Sequence, residues 1–187
     1  MRRVLIAGIG NVFLGDDAFG VEVVTLLETR SLPPGIEVVD FGTCGFDLAM
    51  ALSEPWAAAI LVDACPRGEP PGTLYLLDLR EVRAGPGELP QGHGLDPVRV
   101  LSLLAQLGIA RPPLYLLGCE PGDMVADEDE PAMCPAVRAA VQPACDQLED
   151  LARRLLREEE GLKGNEPTTT TRAGAVAPDR SGRSWHA

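Results

Sequence analysis

Three side chains able to do acid–base or metal chemistry stand out by their surroundings. They are Asp17 in "GIGNVFLGDDAFG", Asp63 after the apolar run "AAAILV", and His93 in "QGHGLD". Two carboxylates and an imidazole with open positions can hold a divalent cation, or polarise a water molecule for attack on a carbonyl. A carboxylate closing a fully apolar run is expensive to bury unless it is used or paired. A cap or an ion pair accounts for Asp63 on sequence alone just as well. His93 lies between Gly92 and Gly94, which leaves its approach to a ligand unhindered. Its bland reading is an exposed loop histidine. The only other histidine is His186, near the end of the chain.

The first of these turns has the wrong charge for its shape. An apolar strand that empties into a glycine turn and then a helix is the usual seat of a phosphate. Gly8 and Gly10 fit the dinucleotide pattern G-x-G-x-x-G, but Phe13 stands where the third glycine belongs. Gly10 to Gly15 has the spacing of G-x-x-x-x-G-K-[ST], yet Asp16 and Asp17 replace the lysine and the hydroxyl. Two carboxylates beside a polyphosphate oppose binding at neutral pH. One of them is expected to cap the following helix, as Asp does well, leaving the other free.

The elements that must position these residues follow from periodicity. A strand is expected over Val4–Ala7, then a helix from about Asp17 to Arg30 on the stripe Val21, Val24 and Leu27. Pro33, Pro34 and Gly35 stop it. Ile36–Phe41 reads as a second strand, Asp47–Leu52 as a short helix, and Ala57–Val62 as a third strand ending at Asp63. A fourth strand is expected over Thr73–Leu79. Its link to the third is too short for a crossover helix, so the two are expected to be antiparallel neighbours. A polar loop, an amphipathic helix over Asp96–Leu107, and a fifth strand over Leu114–Cys119 follow. The last helix is expected from about Ala136 to Glu160, with a kink or break at Pro143.

This order implies an α/β three-layer sandwich. Its sheet has five mostly parallel strands, one of them antiparallel, flanked by helices. Ligands of such sheets sit beyond the carboxyl ends of the strands, so the turns after Ala7, Phe41, Val62 and Cys119 should share one edge.

Composition sets the limits. The chain has 187 residues, 45% of them hydrophobic, and a formal net charge of −12. Residues 1–160 suffice for one domain with its own core. Residues 161–187 hold a threonine run, scattered Gly and Pro and few apolar side chains, and are expected to be a disordered tail. So acidic a chain is repelled by nucleic acid and by anionic membranes, and suits a cationic, metal-bearing or peptide partner. No stretch approaches the roughly 20 apolar residues of a membrane span. The apolar run after Met1-Arg2-Arg3 breaks at Gly8, too early for a signal peptide, so a cytoplasmic location is expected. Five cysteines without C-x-x-C spacing fit reduced thiols.

The pieces "GIGNVFLGDDAFGVEVV", "VVDFGTCG", "ILVDAC", "PPGTLYLL", "QGHGLDPVRVLSLL" and "LYLLGCEP", in this order, resemble the hydrogenase maturation endopeptidases. Members of that family cut a C-terminal extension from the large-subunit precursor of nickel–iron hydrogenases. The resemblance spans residues 3 to about 155. It implies that Asp17, Asp63 and His93 are the metal-contacting, catalytic set. It makes Gly10, Asn11, Asp40, Gly42 and Thr43 the substrate-binding turns. The family often has Glu at the first position, where this chain has Asp. Its usual D-G-G-T reads "DFGT" here.

The resemblance also implies that the metal is the precursor's nickel and that the protease holds no tightly bound metal of its own. The expected partner is the large-subunit precursor, with neither nucleic acid nor membrane. Family classifications treat such enzymes as aspartic-type, although the paired D-T-G motifs of pepsin-like enzymes are missing here. One alternative is a nickel- or precursor-binding chaperone that uses the same residues without cleavage. Another is a cysteine hydrolase pairing Cys65 or Cys119 with His93, although neither cysteine lies in a G-x-C-x-G elbow.

Overall fold

The structure is a computed structural model, which describes residues 2–80, 104–106, 108, 110–122 and 132–157. Five strands form one sheet: β1 (Val4–Ile9), β2 (Ile36–Gly42), β3 (Ala58–Ala64), β4 (Leu74–Asp78) and β5 (Leu114–Cys119). Their order is β2-β1-β3-β5-β4. All pairs are parallel except β4 with β5. Helices α1 (Phe19–Glu28), α2 (Gly45–Leu52) and α3 (Pro135–Arg157) cover it. The three-layer, mostly parallel fold expected from the element order is the one observed.

The apolar runs explain the centre of the sheet. Every residue of β1, β3 and β5 is buried. Strands covered on both faces carry continuous rather than alternating hydrophobic runs. Their side chains divide by the strand period of two. Val4, Ile6, Ile60, Val62, Tyr115 and Leu117 pack with α1 and α3. Leu5, Ala7, Ile9, Ala59, Leu61 and Leu116 pack on the other face with α2 and with Leu104 of the helical residues 104–106.

Gly20 sets how closely α1 approaches the sheet. A Cβ there would stand 2.1 Å from the Ile9 carbonyl oxygen and 2.2 Å from that of Val62. The start of α1 therefore lies against the ends of β1 and β3.

The expected pairing of the fourth strand needs correction. The fourth strand does not pair with the third: β5 lies between them, parallel to β3 and antiparallel to β4. The segment from Cys65 to Thr73 is too short for a helix but long enough to step across one intervening strand, two spacings of about 4.8 Å. The last helix runs unbroken through Pro143. Pro143 lies on its exposed face, where water can satisfy the carbonyl that the ring leaves unbonded. Asp63 is the last residue but one of β3, which ends at Ala64. Most of the expected helix over Asp96–Leu107, the polar and acidic loops that carry His93 and Glu130, and the tail lie outside the described residues.

Candidate functional site

The chain leaves β1 for β2 on one side and returns to β3 on the other, so the sheet order reverses direction at β1. Such a switch point leaves a crevice at the carboxyl ends of the two central strands. Gly8 of β1 stands opposite Val62 of β3, which places the turn after β1 beside Asp63.

Asp17 is carried there by a short 3-10 turn, Gly15–Ala18. The turn is closed by its own backbone: Leu14 N–H donates to the Asn11 carbonyl and Asp17 N–H to that of Leu14, both at 3.0 Å. Asn11 N–H donates to Asp17 Oδ2 at 2.9 Å, and Asn11 Oδ1 accepts from Phe13 N–H at 3.0 Å. Gly10, at φ 141°, lies so close beneath this turn that a Cβ would be 1.9 Å from the Asp17 carbonyl oxygen. Any side chain there would push the acid out of place.

Asp17 is half-buried. Burial pushes its carboxyl above the usual carboxylate range, while the Asn11 N–H pulls the other way. Among the described residues its second oxygen accepts no hydrogen bond. A carboxylate with a raised pKa and open lone pairs can take a proton from water or contact a cation.

Asp63 is 5% exposed and stands opposite Gly118 of β5. It alternates with Val62 and Ala64, and so belongs with Ala59 and Leu61 on the α2 side of the sheet. The third expected member, His93, lies outside the described residues. Among the described residues no group of three or more His, Cys, Asp or Glu is arranged to hold a metal ion.

The second turn joins the first. Gly10 N–H donates to the Gly42 carbonyl at 3.0 Å, and Gly42 N–H to Asp40 Oδ1 at 2.7 Å. The β1–β2 register shifts here, from Gly8 opposite Asp40 to Ile9 opposite Gly42. The residue skipped is Phe41, the one that departs from D-G-G-T. It packs against the α2-side core instead of facing the crevice. A bulge beside a site bends the strand and aims its turn. Asp40 and Thr43 are exposed on this turn.

Two buried carboxylates were not foreseen as part of this edge. Asp16 is fully buried and caps no helix of its own. Its Oδ2 accepts from Gly122 N–H at 2.7 Å and its Oδ1 from Cys134 N–H at 2.6 Å. The expectation that one of the paired acids caps the following helix is therefore wrong. Asp16 ties down distant backbone, and Asp17 closes its own turn. Glu120, 4% exposed, accepts from Arg67 N–H at 2.7 Å and Gly68 N–H at 3.0 Å. It follows the apolar run of β5 just as Asp63 follows that of β3, so the reasoning that singled out Asp63 finds it too.

The Cys119 thiol has the wrong chemistry for a nucleophile. Burial, followed by the charges of Asp16, Cys134 and Glu120, pushes the Cys119 thiol up to about 12. It stays protonated at neutral pH, and the thiolate is the attacking form. The Cys65 carbonyl accepts from the Tyr75 hydroxyl. The exposed Cys44 thiol donates to Asp47 Oδ2 at 2.9 Å.

Residues 21–151 match the family model for hydrogenase maturation protease. The chain belongs to the hydrogenase maturation protease family. The activity that the family model and the named relatives carry is that of a hydrogenase maturation endopeptidase. The hydrogenase 2 maturation protease of Escherichia coli is 33% identical over 147 residues, 78% of this chain and 88% of that protein. The coenzyme F420 hydrogenase subunit delta of Methanothermobacter thermautotrophicus is 30% identical over 79% of this chain and 93% of its own. The structure of the maturating endopeptidase HybD from E. coli superposes with a TM-score of 0.65 at 30% identity, covering 81% of this chain and 93% of that one. The span matched by the family model contains Asp63 and His93, and Asp17 lies four positions before it. Among the described residues no helix is long and apolar enough to cross a membrane.

Proposed function

We propose that this protein removes the C-terminal extension from the nickel-loaded large-subunit precursor of a nickel–iron hydrogenase, with Asp17, Asp63 and His93 as its working residues. The observation that carries the reading is Asp17. It is a half-buried carboxylate with a raised pKa, one oxygen of which accepts no hydrogen bond among the described residues, beside a second buried carboxylate at the switch point of the sheet. Water adds to the scissile carbonyl as it loses a proton to a carboxylate. The C–N bond then breaks, and the leaving amine takes the proton back. Nickel belongs to the substrate in this scheme. Bound by the precursor, it is contacted by Asp17, Asp63 and His93, and so places the scissile bond in the crevice. Gly10, Asn11, Asp40, Gly42 and Thr43 form the turns along which the precursor lies.

The test uses chelator-treated protein with candidate large-subunit precursors, with and without nickel, and product masses as the readout. Shortening of the nickel-loaded precursor alone is expected. Asp17→Asn, Asp63→Asn and His93→Ala should fold and leave the precursor intact. Equal cutting of both precursors would remove nickel from the scheme. Tight binding without shortening of any precursor would replace the protease by a chaperone.

A further inference from the structure

Among the described residues, five large apolar side chains are exposed: Val12, Phe13, Phe46, Met50 and Leu76. All but Leu76 belong to the two joined turns or to the helix that follows. Phe13 is 72% exposed and Phe46 is 60% exposed. Exposed phenyl groups on adjoining segments mark an interaction surface rather than scattered surface apolar area.

Neither group is on a loose loop. Phe13 N–H is held by Asn11 Oδ1, and Asn11 also binds Asp17. Phe46 and Met50 are one turn apart on α2, whose opposite face is fixed by the fully buried Leu48, Ala49 and Leu52. The hydrogen bond between Gly10 and Gly42 joins the two turns at their bases. A rigid apolar surface loses little freedom when a partner covers it.

The sequence that carries it is acidic. From Val4 to Pro66 the chain holds one basic residue, Arg30. Arg30 is engaged on the other side of the sheet by Asp146 at 2.8 Å and Glu149 at 3.3 Å of α3. Asp40 and Asp47 are exposed on the turn and at the start of α2. The complementary surface carries apolar side chains next to Lys or Arg.

We propose that Val12, Phe13, Phe46 and Met50 form the surface on which the precursor protein docks, through a segment that bears apolar side chains beside basic ones. This rests on the function proposed above. The surface is continuous with the turn that holds Asp17, so a chain lying on it is led to the crevice. These side chains do not reach the reacting atoms. They act on the capture of the substrate.

The experiment measures processing kinetics on a nickel-loaded precursor that the wild-type protein shortens. It compares wild type, Phe13→Ser/Phe46→Ser, Met50→Ser, and Leu76→Ser on the far edge strand. In the double variant, KM should rise on the order of tenfold or more, as for loss of central interface anchors. Its kcat should stay within about twofold, since the bond-breaking groups are untouched. The wild-type KM should rise with salt, and Leu76→Ser should behave as wild type. Melting curves and sedimentation of each variant accompany the kinetics. An unchanged KM in a folded double variant overturns the docking surface and leaves the protease standing. So does a change of sedimentation from dimer to monomer with KM unaltered, because the surface then meets a second copy of the chain. Failure of the wild type to shorten any precursor overturns the function itself, and the docking proposal with it.

Discussion

The carboxylate of Asp16 accepts a hydrogen bond from the backbone of Gly122, 106 positions later in the chain, at 2.7 Å. Its other oxygen reaches Cys134 N–H at 2.6 Å. One buried side chain thus anchors the turn after β1, the exit of β5 and the entry to α3. Asp17, its neighbour in sequence, inherits a fixed platform. The adjacent acids hold different backbone: Asp16 that of distant Gly122 and Cys134, Asp17 that of Asn11 in its own turn.

Asp16→Ala should cost about 3 kcal/mol of stability, since two N–H groups lose a charged acceptor. Asp16→Asn should cost less, because one oxygen remains to accept while the amide meets the other donor. Urea denaturation measures both. A loss below about 1 kcal/mol for the alanine variant would mean that water replaces the carboxylate at no penalty.

Asp17 should trade stability for function. Its pKa is raised in the fold, so the folded state favours the protonated form, and the ionised form is a cost at neutral pH. That cost is present above the raised value and disappears as the pH falls towards the ordinary 3.8. Asp17→Asn, which can still accept from Asn11, should therefore melt slightly higher than wild type at pH 7. The two should converge as the pH drops through that window. If Asp17 is the proton acceptor, wild-type processing should fall over the same window. Melting curves from pH 7 to pH 3 and a pH profile of cleavage test the two halves separately.

Gly20→Ala should be destabilising by about 3 kcal/mol or more. Its Cβ would overlap two carbonyl oxygens of the central strands, and neither β1 nor β3 can retreat without disturbing the sheet. The same substitution should impair processing, because α1 begins directly after the turn that holds Asp17. A wild-type melting temperature would show that α1 can shift outward freely.

Alkylation should find Cys44 well before Cys119. Cys44 is exposed, whereas Cys119 is buried with its thiol held protonated. Cys119→Ala should retain most processing activity. Mass-resolved labelling with iodoacetamide, followed by the cleavage assay, checks both. Inactivation that tracks Cys119 labelling would restore the cysteine hydrolase.

What could be read from the sequence was local. Leu114–Cys119 is found at its observed ends because Pro113 and Glu120 bracket a continuous apolar run. The turn after β1 and the acid in β3 were placed on one edge by strand direction alone. The neighbour of β4 was misread because a loop's length limits how far the chain travels without saying what lies between. Asp16 looked like a helix cap because local rules see only local partners, and its own are 106 and 118 positions away. Of the kink or break expected at Pro143, the break is absent, because the proline lies on the exposed face of the helix. Phe41 looked out of place in a glycine turn, yet it follows Val39 by the strand period of two and packs, partly buried, against the α2-side core.

The long reach of Asp16 has a consequence for the order in which the protein is made. Asp17 and Asp63 both leave the ribosome in the earlier half of the chain. The backbone groups that fix the platform under Asp17, at Gly122 and Cys134, come only with its later half. A nascent chain therefore carries its acids long before it can hold them in place. An enzyme whose task is to cut other chains cannot complete the platform under Asp17 until Cys134 has been made.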